Sequence, residues 1–321
     1  MEIKIFVSST PRSLKNSDLS LADYGTNFGD ELNFLICPFL FKGLLDGWAT
    51  SQSKELTDND ILLLPVGSII NSSIPDKPKK IVIGSGFGYG QALDRNMLSS
   101  YSVLFTRGPI TNMILYLPAS RESIDLAYAL KLMGYGPSEV RNKILIIPHH
   151  SNPCVRILFD RDCQLYYQLG EYLIVNPLAN LKSILALISE ARYVISEAMH
   201  GAIIADAFRI PWVAVCFGGK VNEMKWHDWL LAFGEKYSAV IVSPMMSERS
   251  VSHRMLNKMR LNRGMILSEL HANIQNARLE SVLQLTNDAV LNRKLSFLDE
   301  SIGTLQSHLR NIRSSNKKVV S

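Results

Sequence analysis

An α/β fold is what the sequence predicts: two largely parallel sheets facing a cleft, followed by a helical C-terminal region. Three observations predict it. Short apolar runs alternate with helix-like segments in two consecutive series. A turn-rich break, Gly134-Tyr135-Gly136-Pro137-Ser138, separates the two series. Beyond about Pro244 strand signal almost disappears and apolar residues take up helical spacing.

The first series gives strands at Ile3–Ser8, Ile61–Val66, Lys80–Gly84, Ser102–Thr106 and Ser123–Leu126. Its helices fall at Glu31–Leu45, Pro109–Leu117 and Ala127–Met133. The second gives strands at Lys143–Pro148, Tyr172–Val175, Tyr193–Ser196, Trp212–Val215 and Val240–Val242. Helices fit Leu181–Ala191 and Gly201–Arg209, the latter stopped by Pro211. Arg254–Ser314 reads as two or three amphipathic helices, and the tail from Ser315 as loose. The expected units are residues 1–136 and 137–246, two Rossmann-like domains in a GT-B-like arrangement, with 247–321 as a helical extension. Ligands of such sheets sit at the carboxyl ends of strands.

At 321 residues the chain exceeds one ordinary core, since single cores stop growing at about 250–300 residues. Hydrophobic residues at 47% and charged residues at 20% exclude a disordered or fibrous chain. The net charge of +5 sits largely late, in Arg254–Arg260, Arg310–Arg313 and Lys317-Lys318. Such runs are either a solvated face or an anionic-surface contact. No stretch approaches the ~18 apolar residues of a membrane span. Met1–Val7 enters a strand directly, without a signal-peptide layout, so a cytoplasmic location is expected. Cys37, Cys154, Cys163 and Cys216 are scattered, which supports reduced thiols over a disulfide or metal framework.

The strongest chemical signal is Ile195-Ser196-Glu197-Ala198-Met199-His200-Gly201, a buried strand turning into a helix. That turn delivers backbone N–H groups and a positive dipole end to one spot, beside a histidine that titrates near neutrality. His200 is otherwise a satisfied histidine under a helix start. Asn27-Phe28-Gly29-Asp30 precedes the first helix, which Asp30 could simply cap. Gly84-Ser85-Gly86-Phe87-Gly88-Tyr89-Gly90 matches neither a dinucleotide fingerprint nor a Walker loop. It is either a ligand-lining loop, with Gly86 at its centre, or a tight turn. Arg107-Gly108-Pro109 ends a strand, where Arg107 could grip an anion bidentately or make a structural salt bridge. Of His149 and His150, adjacent on an expected extended segment, at most one should face a ligand. In Lys225-Trp226-His227-Asp228-Trp229, Trp226 is either a core anchor or a sugar-stacking platform.

Taken in order from Gly25 to Trp229, these motifs resemble the polysaccharide pyruvyl transferase family, near its bacterial exopolysaccharide ketal pyruvate transferases. The matching pieces are Asn27-x-Gly29-Asp30, Arg107-Gly108-Pro109-x-Thr111, the Ser196-x-x-x-His200-Gly201 run and Lys225-Trp226-x-Asp228-Trp229. The resemblance implies phosphoenolpyruvate as donor and a lipid-linked oligosaccharide or polysaccharide as acceptor, with no cofactor, metal or nucleic acid. It implies an acceptor-side first domain, a donor-side second domain, and a peripheral contact with the inner membrane. His200 becomes the general acid or phosphate ligand and Asp30 or Glu197 the base. Arg107 and Lys225 bind the donor, with Asn27, Gly86, His149, His150 and Trp226 lining the site. The family often carries arginine two residues before the histidine, where this chain has Ala198. Arg107, Lys225 or Lys220 would then supply the missing charge. A nucleotide-sugar glycosyltransferase of the same architecture is the alternative enzyme. A non-catalytic sugar- or nucleic-acid-binding protein using the basic C-terminal end is the alternative from another class.

Overall fold

The computed structural model describes residues 1–8, 27–152, 155, 158–159, 164–218, 221–242 and 263–320. Five strands form the first sheet: β1 (Ile3–Phe6), β2 (Gly47–Ala49), β3 (Ile61–Leu64), β4 (Lys79–Ile83) and β5 (Tyr101–Phe105). Their order is β2-β1-β3-β4-β5 and every pairing is parallel. The second sheet runs β11-β10-β9-β6-β8-β7. It comprises β6 (Lys143–Ile147), β7 (Tyr166–Leu169), β8 (Tyr172–Val175), β9 (Ala191–Ser196), β10 (Trp212–Cys216) and β11 (Val240–Ile241). It is parallel except for the β7–β8 hairpin. In each sheet the chain winds both ways from its first strand, β1 or β6, so each has a switch point where a crevice opens.

Eight α-helices have both ends within the described residues: α1 (Phe28–Leu40), α2 (Pro109–Ile114), α3 (Ala129–Leu132), α4 (Leu181–Ser189), α5 (Met199–Ala207), α6 (Glu223–Leu231), α7 (Arg263–Asn276) and α8 (Asp288–Val320). Strand alternation sorts side chains onto opposite faces. Ile3, Ile5, Leu63 and Ile83 of the first sheet point into the same core as Leu145, Ile147 and Val194 of the second. Phe28, Leu32 and Ile36 of α1, Ile184 and Ile188 of α4, and Ala202 and Ile203 of α5 fill that core. Leu62, Leu64 and Val82 face a separate outer core, as do Ile144, Ile146 and Val213 on the far side. One apolar interior therefore joins the two sheets.

The helical C-terminal region divides its packing. Leu270 and Ile274 of α7 lie in the outer core of the second sheet. Helix α8 instead returns to the first half and buries Leu291, Leu298, Ile302, Leu305 and Leu309 along one stripe. Lys294 donates to the Ser123 carbonyl at 2.7 Å, Phe297 packs edge-on against Phe105, and Arg313 pairs with Asp46. Asp206 fixes the crossing. Its carboxylate accepts from Tyr128, the Trp212 indole, and both the amide and hydroxyl of Thr286. The apolar stripe of α8 is thus consumed by intramolecular packing.

Most predicted elements are present, and the differences have local causes. Ser123–Leu126 makes one bridge to Thr106 instead of a strand, because Asp125 caps the following 3₁₀ turn by accepting from the Ala127 amide at 2.9 Å. Helix α1 starts three residues before the predicted Glu31, capped by Asn27 and not by Asp30. The short edge strand β2 and the hairpin strand β7 were not anticipated. Helix α8 runs through the tail expected to be loose, to Val320. Gly134–Ser138 lies between α3 and β6, where the chain leaves the first sheet for the second. Cys154, Cys163 and Arg254–Arg260 fall outside the described residues.

Candidate functional site

A cavity of about 430 Å³ opens where the carboxyl ends of both sheets meet. Ser8 follows β1, Ser68 and Ile69 follow β3, His149–Ser151 follow β6, and Glu197–His200 follow β9. Asn27 and Asp30 come from the start of α1, and Asn222, Lys225 and Trp226 from the start of α6. Three helix N-termini, those of α1, α5 and α6, thus border one cavity. Neither Ala198 nor Asn222 makes a side-chain cap, so the first-turn amides of α5 and α6 keep their positive character toward it.

Asn27, Asp30, His149, His150, Glu197, His200, Lys225 and Trp226 therefore share one cavity wall. Arg107 and Gly86 do not line it. The Arg107 guanidinium is fully buried behind the cavity: Nε donates to Asp228 at 3.0 Å, and the terminal nitrogens donate to Ser68 at 2.8 Å and the Phe87 carbonyl at 2.7 Å. Asp228 also accepts from the Thr111 amide and hydroxyl at 2.9 and 2.6 Å. The expected anion clamp is instead a latch that ties the Gly84–Gly90 loop and α2 to α6. Gly86 serves this latch, since a Cβ there would lie 2.3 Å from the guanidinium carbon.

Other motif glycines mark similar close approaches. A Cβ on Gly29 would come 2.2 Å from His200 Nδ1, and one on Gly88 would come 2.7 Å from Lys225 Cε. On Gly108 it would stand 1.7 Å from the Asp228 carbonyl oxygen. At Gly108 the neighbour is backbone and glycine is required, whereas at Gly29 and Gly88 the neighbouring side chain would have to move; each partner is far away in sequence.

Glu197 is fully buried and its carboxylate is committed. One oxygen accepts from the His149 amide at 3.0 Å and from Asn152 at 2.9 Å, the other from the Phe217 amide at 2.9 Å. It holds the ends of β6, β9 and β10 together. Among the described residues Asp30 makes one long side-chain hydrogen bond, from the Ser8 hydroxyl at 3.3 Å, and its carboxylate is the one left available in the cavity. His149 and His150 both line the cavity, with ring centroids 4.3 Å apart. The expectation that one would turn away fails because the strand ends at Ile147 and the segment turns.

Burial, followed by the neighbouring His150 and Lys225, lowers the His149 pKa to about 4. Burial is also the main cause that lowers His150. Both shifts favour the neutral imidazole; His149 Nδ1 lies 2.7 Å from the Ser151 hydroxyl, whereas His150 Nδ1 has no hydrogen-bond partner among the described residues. Lys225 is lowered to about 7, chiefly by burial and then by Arg107, with Asp30 opposing. Its ammonium rests 3.7 Å from the ring centre of Tyr89, an exposed residue of the glycine-rich loop. Trp226 borders the cavity yet is 2% exposed, packed with Trp212, Trp229 and Tyr237. It is a core anchor and presents no open stacking face. Lys220 lies outside the described residues.

The sequence reading missed Ser8, Ser68, Tyr89, Asn222 and Asp125. Asp125 is fully buried, and its Oδ2 stands 3.7 Å from His200 Nε2. Its usable signal was an aspartate before the helical run Leu126-Ala127-Tyr128-Ala129-Leu130, a cap pattern absorbed into a predicted strand. Among the described residues, no group of three or more His, Cys, Asp or Glu is placed to hold a metal ion.

Comparison with known proteins agrees with the resemblance over a stretch that ends before the Lys225–Trp229 motif. Residues 17–215 match the polysaccharide pyruvyl transferase family. The chain is 31% identical over 216 residues to the succinoglycan biosynthesis protein ExoV of Rhizobium meliloti (strain 1021), covering 66% of this chain and 63% of that protein. The aligned part thus spans less than two thirds of that relative.

Proposed function

The chain belongs to the polysaccharide pyruvyl transferase family, and we propose that it moves a pyruvyl group from phosphoenolpyruvate onto two hydroxyls of one sugar, forming a pyruvate ketal. The observation that carries this reading is the convergence of three helix N-termini, Lys225 and His200 on one cavity. A small, multiply charged anion needs that kind of site. The succinoglycan relative supports an exopolysaccharide precursor as acceptor, in this reading a lipid-linked oligosaccharide or polysaccharide at the inner face of the cytoplasmic membrane. No helix of the described residues is long and apolar enough to cross a membrane. The arrangement is read as GT-B-like, the first sheet presenting the acceptor and the second the donor.

In this scheme Lys225 and the α5 amides hold the phosphate and carboxylate, taking over where the family often has arginine at position 198. His200 donates a proton to the methylene carbon as the first sugar oxygen bonds to the adjacent carbon. Asp30 takes that hydroxyl's proton. The second hydroxyl then displaces phosphate, and its proton leaves with the phosphate. Glu197 keeps the His149–Asn152 turn in place and is not the base. No cofactor enters the balance.

Purified protein with phosphoenolpyruvate and a pyranoside acceptor should release inorganic phosphate and yield a ketal visible by NMR. His200→Gln should lower that turnover by about 10²-fold or more. Absence of turnover with phosphoenolpyruvate, combined with thermal stabilisation by nucleoside diphosphates, would replace this reading with the glycosyltransferase.

Lys225 sets an expected pH dependence. Its depressed pKa of about 7 means that ammonium predominates below neutrality and the neutral amine above it. If the donor binds the ammonium form, its dissociation constant rises with pH above 7, by about tenfold per unit over the first unit or two. Binding also recaptures the proton, so calorimetry at pH 8 should show proton uptake across buffers of different ionisation enthalpy. Lys225→Met should bind more weakly and lose both effects. A donor affinity unchanged between pH 7 and 9 would show that Lys225 is not the binding cation.

A further inference from the structure

We propose that Asp125 is the positioning residue of His200, holding its proton on Nε2 so that Nδ1 is the nitrogen left to exchange protons. Among the described residues four buried side-chain polar atoms lack a hydrogen-bond partner, and two of them stand opposite each other: Asp125 Oδ2 and His200 Nε2, 3.7 Å apart. Leaving either unpaired in a dry interior carries a desolvation cost, so a matched pair of unpaired atoms marks a contact that tightens when a proton sits between them. Asp125 cannot turn away. Its other oxygen accepts from the Ala127 amide at 2.9 Å, and the residue has no solvent exposure. His200 is pinned from the opposite side, where Gly29 lies against the Nδ1 edge of the ring.

The other titratable groups around His200 do not compete for Nε2. Asp30, His149, His150 and Lys225 border the cavity, and both Glu197 oxygens are taken by His149, Asn152 and Phe217. Neutral His200 is therefore the Nε2–H tautomer, with its lone pair on Nδ1, the edge of the ring beside Gly29 at the start of α1. The imidazolium carries a second proton on Nδ1. Delivery of that proton to a substrate atom leaves the Nε2–H tautomer, and Nδ1 regains a proton from solvent. Asp125 acts as an acceptor throughout and carries no proton to the substrate. The catalytic consequence rests on the pyruvyl transfer reading; the tautomer does not.

Asp125→Asn separates this role from capping. The carbonyl of the substituted amide keeps the Ala127 contact, which leaves its NH₂ facing His200 Nε2. That NH₂ donates, so Nε2 must accept and the proton is forced to Nδ1. Nitrogen-15 NMR on histidine-labelled protein, with His200 assigned by its loss in His200→Gln, should show Nε2–H in the wild type and Nδ1–H in Asp125→Asn. Turnover should fall by about 10²-fold or more, with the unfolding midpoint nearly unchanged. A wild-type Nδ1–H tautomer overturns the proposal even if the variant does not fold, as does an unchanged tautomer in a folded Asp125→Asn. If the tautomer inverts while wild-type protein shows no turnover with phosphoenolpyruvate, the pairing stands and the reaction assignment fails.

Discussion

Asp228→Ala should lower the stability of the protein by about 3–5 kcal/mol, the cost of leaving a buried charge without its partner. Arg107 is fully buried and Asp228 is 1% exposed. Removing the carboxylate strands the Arg107 Nε and both Thr111 donors in the interior. The loss should appear as a lower urea midpoint for the transition that reports α6 and the glycine-rich loop. A double variant, Arg107→Met with Asp228→Leu, should recover much of it, because an apolar pair carries no charge to desolvate. If Asp228→Ala costs less than about 1 kcal/mol, water reaches the guanidinium and the latch description is wrong. The latch also bears on the cavity, since Ser68 and the Tyr89 loop hang from Arg107, and Lys225 lies on the helix that carries Asp228.

The alternation of apolar runs made both sheets legible, because residues such as Leu62 to Leu64 and Ile144 to Ile147 are buried on both faces and read as continuous strands. Strand ends were legible too, and with them the position of the cavity. What failed was the role of individual side chains. Arg107 at a strand end looks the same in sequence whether its partner is a substrate or Asp228, which is 121 positions away. Trp226 looks the same whether it stacks on a sugar or on Trp229 and Tyr237. Asp125 was hidden because a capping aspartate and an apolar run together mimic a strand end. The glycines were legible as special positions, but their reason was not. Gly29, Gly86 and Gly108 each make room for a side chain or backbone brought in by the tertiary fold.

Gly29→Ala should lower turnover by about 10²-fold while leaving the fold intact. Position 29 is the second residue of α1, where alanine is a better helix former than glycine, so the backbone gains slightly from the change. The added methyl is placed 2.2 Å from His200 Nδ1 and 2.9 Å from Cγ, so the ring must move. It cannot retreat far with fully buried Asp125 behind it. Displacement of a reacting group by about 1 Å is enough for a loss of that size. Donor affinity, which depends on Lys225 and the helix amides, should change much less than the rate. A double-mutant cycle supplies the check. Alanine at 29 should cost almost nothing further once His200 is also alanine, because the methyl then enters the space the ring has left. Losses that multiply between Gly29→Ala and His200→Ala would mean that Gly29 acts on some other part of the cavity.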